Sequence, residues 1–177
     1  TYALTEDGIR IHYTVTNPGT GPMYYQLGAH PGFNCPLHSG ERFEDYVLEF
    51  EQEGTAGYHS YDLNRMEFNM NSYTPILDHA AVIPLTHELF ANDAIFFTDL
   101  RSKKVALKNQ ATGYGVEVSY PDFATVAFWT AAATKEPFLC VEPWNGSAIR
   151  SDEDDNFLNR HFLQKVESGE SKEYQIW

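Results

Sequence analysis

The sequence predicts an all-β fold, a sandwich or barrel of short strands, on three observations. Apolar residues recur with a period of two rather than 3.6. Gly, Pro and Asn punctuate the chain at short intervals, and helical signals are few. Ile11, Tyr13 and Val15 alternate with His12, Thr14 and Thr16 until Asn17-Pro18-Gly19 breaks the segment. Val47 to Phe50 is the next strand candidate. Leu85 to Phe90 follows Pro84 and reads as one helical turn, with proline at a tolerated early position. Ile95 to Phe97 and Val105 to Leu107 are short strands. Tyr114, Val116, Val118 and Tyr120 alternate with Gly115, Glu117 and Ser119 until Pro121 ends the pattern. Ala124 to Thr130 and Phe138 to Glu142 are denser apolar runs, suited to strands covered on both faces. Asp152 to Leu158 reads as a second helical turn, and Tyr174 to Trp177 as a last strand.

The chain has 177 residues, 12 Lys+Arg against 25 Asp+Glu and a net charge of -13. With no internal repeat, low-complexity tract or linker, that length is one domain or a large part of one. Hydrophobic residues at 42% and aromatics at 15% are ample for a packed core and exclude pervasive disorder. No apolar run approaches the roughly 20 residues that cross a bilayer, so no membrane partner is expected. A pI near 4.8 argues against nucleic acid and strongly phosphorylated ligands, whose binding draws on clustered Lys and Arg. Neutral and cationic ligands stay open. The chain starts at Thr1 with no charged-then-apolar signal segment, which gives a cytoplasmic location as the expectation.

The motifs for chemistry are sparse. Cys35 and Cys140 form no disulfide framework and lie in no zinc spacing, so both read as small core residues. None of the seven histidines forms an i, i+4 pair on a convincing helix. His79 and His87 read as surface residues, and a metal site would need long-range assembly. Neither a Gly-x-Ser-x-Gly elbow nor a glycine-rich loop between strand and helix is present. The run Asp152-Glu153-Asp154-Asp155 reads as a solvated turn, lacking the Gly and distal Glu of a calcium loop. Asn145-Gly146-Ser147 matches a glycosylation pattern but reads as a turn.

Two segments differ from their surroundings. In Leu27-Gly28-Ala29-His30-Pro31-Gly32-Phe33-Asn34 a histidine sits between small residues and a proline after a strand-like stretch. In Phe138-Leu139-Cys140-Val141-Glu142-Pro143-Trp144-Asn145-Gly146 a carboxylate ends an apolar run. Such a charge is expensive to desolvate unless it is paired or used. The residues alone leave two readings open: a capping or core histidine with a strand-end salt-bridge partner, or a charge kept there for use.

At these segments the chain resembles the aldose 1-epimerase (galactose mutarotase) family, its LacX-like branch in particular. The matching words, in order, are Gly28 to Phe33, Leu89-Phe90-Ala91-Asn92-Asp93-Ala94, Tyr120-Pro121-Asp122-Phe123, Ala127-Phe128-Trp129-Thr130, Cys140 to Trp144, and Gly169-Glu170-Ser171 before a last strand. The resemblance implies a large antiparallel β-sandwich of the mutarotase type and interconversion of the α and β anomers of a free sugar, without cofactor or metal. It implies His30 as general acid, Glu142 as general base and Asp93 as a holder of sugar hydroxyls. Trp129, Trp144 and Phe33 could give apolar faces to a pyranose, though each singly reads as well as a core aromatic. With unperturbed values of about 6.5 for His and 4.3 for Glu, a protonated imidazole and an ionised carboxylate coexist near neutrality.

Departures from the family bear on specificity. The best-known mutarotases carry Asn-His and an aromatic pair where this chain has Ala29-His30-Pro31-Gly32, so the preferred aldose does not carry over. Members run to about 300 residues, and their early segment supplies an arginine and a histidine that have no counterpart here. The expectation is that residues 1–177 are the C-terminal portion of a single sandwich domain, whose partners are a sugar and the missing N-terminal segment. The sheet would then be incomplete at its N-terminal side, with an unpaired edge that invites a homodimer. The rival readings are a carbohydrate-binding sandwich without turnover and a hexose-6-phosphate 1-epimerase.

Overall fold

The computed structural model describes residues 1–154 and 156–177. Fourteen strands follow in chain order: β1 (Tyr2–Thr5), β2 (Gly8–Thr16), β3 (Met23–Tyr25), β4 (Leu27–Gly28), β5 (Gly32–Asn34), β6 (Tyr46–Asp62), β7 (Glu67–Pro84), β8 (Ile95–Phe97), β9 (Lys104–Asn109), β10 (Gly115–Ser119), β11 (Thr125–Trp129), β12 (Phe138–Asn145), β13 (Gln164–Val166) and β14 (Ser171–Ile176). Among the described residues, helix is confined to three 3-10 turns, Phe43–Asp45, His87–Phe90 and Phe157–Asn159. The second lies inside the turn expected over 85–90, and the third overlaps only the end of the one expected over 152–158. Among the described residues, no helix is long and apolar enough to cross a membrane.

The architecture is an antiparallel sandwich. A nine-stranded sheet runs β10-β9-β6-β8-β11-β12-β4, with β5 also on β12 and β7 also on β6. A three-stranded sheet, β1-β2-β14, forms the second layer, and β13 pairs with β3. The period-two residues Ile11, Tyr13 and Val15 of β2 and Tyr174 and Ile176 of β14 turn inward against Val126, Phe128, Leu139 and Val141 of the large sheet. Tyr13 and Tyr174 meet Phe123 edge-on and tilted, at 6.4 and 5.9 Å between centroids. The hydrophobic effect thus holds the two layers through alternate residues only, which leaves the other face of the large sheet free to carry chemistry.

That other face has a small apolar cluster of its own. Phe68, Phe96 and Ala127 are fully buried there, with Tyr61, Trp144 and Phe162 packed around them. Phe68 stacks on Phe96 at 4.6 Å.

β7 and the far half of β6 were not legible as strands. Their pairing slips at four places between Glu49 and Tyr61, so no clean alternation survives over the length of either strand. The acidic run is also more ordered than a solvated turn. Asp152 takes a two-pronged bond from Arg150 at 2.9 and 2.8 Å. Glu153 pairs with Arg160 at 2.9 Å, and Asp154 accepts from Asn156 and Asn159. Asp155 lies outside the described residues. His87 is largely covered rather than on the surface: its ring lies 4.2 Å from that of Phe43, and its Nδ1 is 3.1 Å from the Glu44 carboxylate. Asn145 is not in a turn but ends β12; it is buried, its amide bonded to Asp122 O and Ala124 N.

Candidate active site

β12 is the strand on which the site is built. Alternation sends Leu139 and Val141 into the sandwich core and Cys140, Glu142 and Trp144 to the opposite face. Across β11, Trp129 stands opposite Cys140, Ala127 opposite Glu142 and Thr125 opposite Trp144. Ala127 in turn faces Phe96 of β8, and Phe96 faces His59 of β6. Glu142 therefore ends a row whose neighbouring members are apolar and sealed from water.

His30 reaches this face through an interruption in pairing. β4 and β5 both lie on β12, Gly28 opposite Trp144 and Gly32 opposite Cys140, and residues 29–31 bulge between them. Ala29 N still donates to Pro143 O, and Pro31 O accepts from Val141 N, so the bulge is tied down on both sides. Proline is suited to such a break because it has no N–H to lose from a ladder. Gly28 is required for close approach: a Cβ there would lie 2.5 Å from Cδ1 of Trp144.

The result is a tight pair. His30 Nε2 lies 3.1 Å from Glu142 Oε1, with the imidazole exposed and the carboxylate buried. The contact is close enough for an ion pair but is not an aligned hydrogen bond, and Oε1 has no hydrogen-bond donor. Burial, and then the negative charge of Asp93, push the Glu142 carboxyl up to about 8. This departs from the ordinary carboxyl value expected from the sequence: desolvation beside Phe96 and Ala127 disfavours the charged form.

Asp93 comes from the turn after the His87–Phe90 helix, at a left-handed φ of 76°, with its Oδ1 held by Ala94 N at 2.8 Å. Its charge is felt by both Glu142 and the Tyr61 phenol. Trp129 sets its ring edge-to-face with His30 at 6.0 Å. Trp144 leans on Phe96 at 5.7 Å and walls a cavity of about 340 Å³ between Gln26–Gly28 and Gly146–Ala148. Phe33 does not join them. It pairs with Leu139 and packs into the sandwich core, because it follows Gly32 on β5 and so falls on the opposite face. A second cavity, of about 220 Å³, lies near the β6–β7 bulges and contains none of the predicted residues.

Two neighbours of the pair were not picked out from sequence. Cys140 is buried, as read, but lies on the Glu142 face; period two along β12 could have placed it there. Tyr61 lies in the half of β6 whose alternation is broken, and no sequence signal marked it.

The buried Glu142 carboxylate and the exposed His30 imidazole thus meet on one face of a large antiparallel sheet, where β4 and β5 pair with β12. A family model described as aldose 1-epimerase matches residues 1–155. The chromosomal LacX protein of Lactococcus lactis subsp. lactis is 34% identical over 166 residues, covering 93% of this chain and 55% of that one. A galactose mutarotase related enzyme from Lactobacillus acidophilus superposes with a TM-score of 0.88 at 25% identity, over 99% of this chain and 58% of that one. A galactose mutarotase-like protein from Lactobacillus casei gives 0.82 at 24%, over 99% and 60%. The chain belongs to the aldose 1-epimerase family, within its LacX-like part. It spans about half the length of the curated relatives it matches.

Proposed function

We propose that this chain carries the acid–base residues of an aldose 1-epimerase that interconverts the anomers of a free aldohexose. The observation that carries the reading is the 3.1 Å approach of His30 Nε2 to a buried Glu142 oxygen that has no hydrogen-bond donor. Mutarotation needs a base at the anomeric hydroxyl and an acid at the ring oxygen. These are two oxygens on one carbon, so an acid and a base held side by side match them. Glu142 takes the anomeric proton and His30 protonates the ring oxygen. The ring opens, the aldehyde carbon turns about its bond to the next carbon, and the steps reverse.

A carboxylate raised to about 8 is a stronger base than a solvated one. Asp93 and Tyr61 supply polar contacts to sugar hydroxyls, and the exposed parts of Trp129 and Trp144 supply apolar faces. The hexose-6-phosphate reading has less support. Arg150 and Arg160, on the loop that follows Trp144, are already committed to Asp152 and Glu153.

Polarimetry on freshly dissolved α-glucose and α-galactose, with the full-length protein that contains this chain, tests the proposal. Glu142→Gln is expected to slow anomer exchange by about 10²–10⁴-fold while sugar affinity changes little. A wild-type rate equal to the spontaneous one would favour a binding module and overturn the reading.

A further inference from the structure

We infer that His30, Cys140 and Glu142 form a three-ligand site for a thiophilic divalent cation of the zinc class. Their donor atoms, an imidazole nitrogen, a thiol sulfur and a carboxylate oxygen, all lie within 4.8 Å of one another. Ligands of one tetrahedral zinc ion, at bond lengths of about 2.0–2.3 Å, stand roughly 3.3–3.6 Å apart. Nε2 and Oε1 are already at 3.1 Å, and the exposed imidazole is free to turn as the ion enters.

Two of the donors are buried. Among the described residues Glu142 Oε1 has no hydrogen-bond partner, and Cys140 is a free thiol. An unpartnered buried oxygen is costly, and a cation would satisfy it. Sulfur in the set selects against magnesium and calcium, which take oxygen ligands, and for zinc and its softer neighbours. His30 is the open side of the site and gives an entry path and a fourth position for water.

The assembly is long-range, which is why ligand spacing in the sequence did not show it. Cys140 and Glu142 share one face of β12, while His30 arrives from the bulge between β4 and β5. Binding replaces the Cys140 thiol proton and the Glu142 carboxyl proton with bonds to the metal and releases both protons to solvent. Affinity should therefore rise with pH. The site coincides with the proposed acid–base pair, so an ion there would occupy the lone pairs that move protons. Inhibition by zinc rests on the proposed function; binding does not.

The test uses cobalt(II) chloride as a spectroscopic probe and zinc chloride as competitor, on the intact chain. Wild type and Cys35→Ser are expected to show a near-ultraviolet thiolate-to-cobalt charge-transfer band that zinc abolishes. Cys140→Ser should lose the band and weaken zinc binding at least tenfold, and His30→Gln, at an exposed position, should also weaken it at least tenfold. The His30 variant keeps the test decisive should Cys140→Ser misfold. Absence of the band in wild type, or zinc affinity unchanged in His30→Gln, would overturn the site. Loss of anomer exchange on zinc addition, reversed by chelator, is the expected consequence. A catalytically silent protein that still shows the band would sink only the proposed function.

Discussion

Glu142 has to remain folded into an apolar face while carrying a group that water would solvate better. Its carboxyl is raised to about 8, against about 4.3 in an unfolded chain, so the folded state binds more protons between those values. The stability associated with its protonated form is complete below about pH 4.3 and is lost as pH rises through 8. Glu142→Gln removes this dependence. Thermal or urea unfolding at pH 5 and pH 8 is expected to show the variant gaining on wild type by ~2–4 kcal/mol at the higher pH, at about 1.4 kcal/mol per unit. Asp93 contributes the second part of the shift. Asp93→Asn keeps a side chain that tolerates the left-handed backbone and removes the charge. The acid limb of the pH–rate profile should then move to lower pH, and an unmoved limb would count against the coupling.

At the scale of elements, β12 decides the site because one strand serves both faces of the sheet. The sequence showed Phe138 to Glu142 as a strand covered on both faces; the structure then separates Leu139 and Val141, on the core side, from Cys140, Glu142 and Trp144. It did not show that β4 and β5 lie on β12 or that residues 29–31 bulge between them. That pairing places His30, and it sends Phe33 into the sandwich core, on the face opposite His30 and Glu142. The Gly28–Trp144 contact is the most sensitive point of the junction. Gly28→Ala puts a methyl 2.5 Å from the indole, so Trp144 must shift. An expected loss of ~1–3 kcal/mol and a weaker sugar affinity can be read by denaturation and by fluorescence titration.

The whole molecule presents an open edge. β1 ends the three-stranded sheet, and Tyr2, Leu4 and Ile9 of β1 and β2 are exposed, Leu4 at 86%. Unpaired edges with apolar side chains pair with other chains unless blocked, and a lysine on the edge is a common block. The 177-residue chain by itself is expected to show a mass that rises with concentration in light scattering, and Leu4→Lys to lower that rise. A strictly monomeric wild type would exclude self-pairing through β1.

The sequence by itself determined the strand-rich class, the alternation of β2 and β10, the dense apolar runs that become β11 and β12, and the two segments from which the candidate acid and base come. These are local properties, fixed by period-two burial and by turn chemistry over a few residues. Only the tertiary structure decided that His30 meets Glu142, that Cys140 joins them, and that Asp93 and Tyr61 are close enough to share a field. It also decided that a carboxyl read as ordinary is raised to about 8. The physical reason is that burial and Coulomb interactions depend on distance in space, and strand pairing sets those distances between residues more than a hundred positions apart.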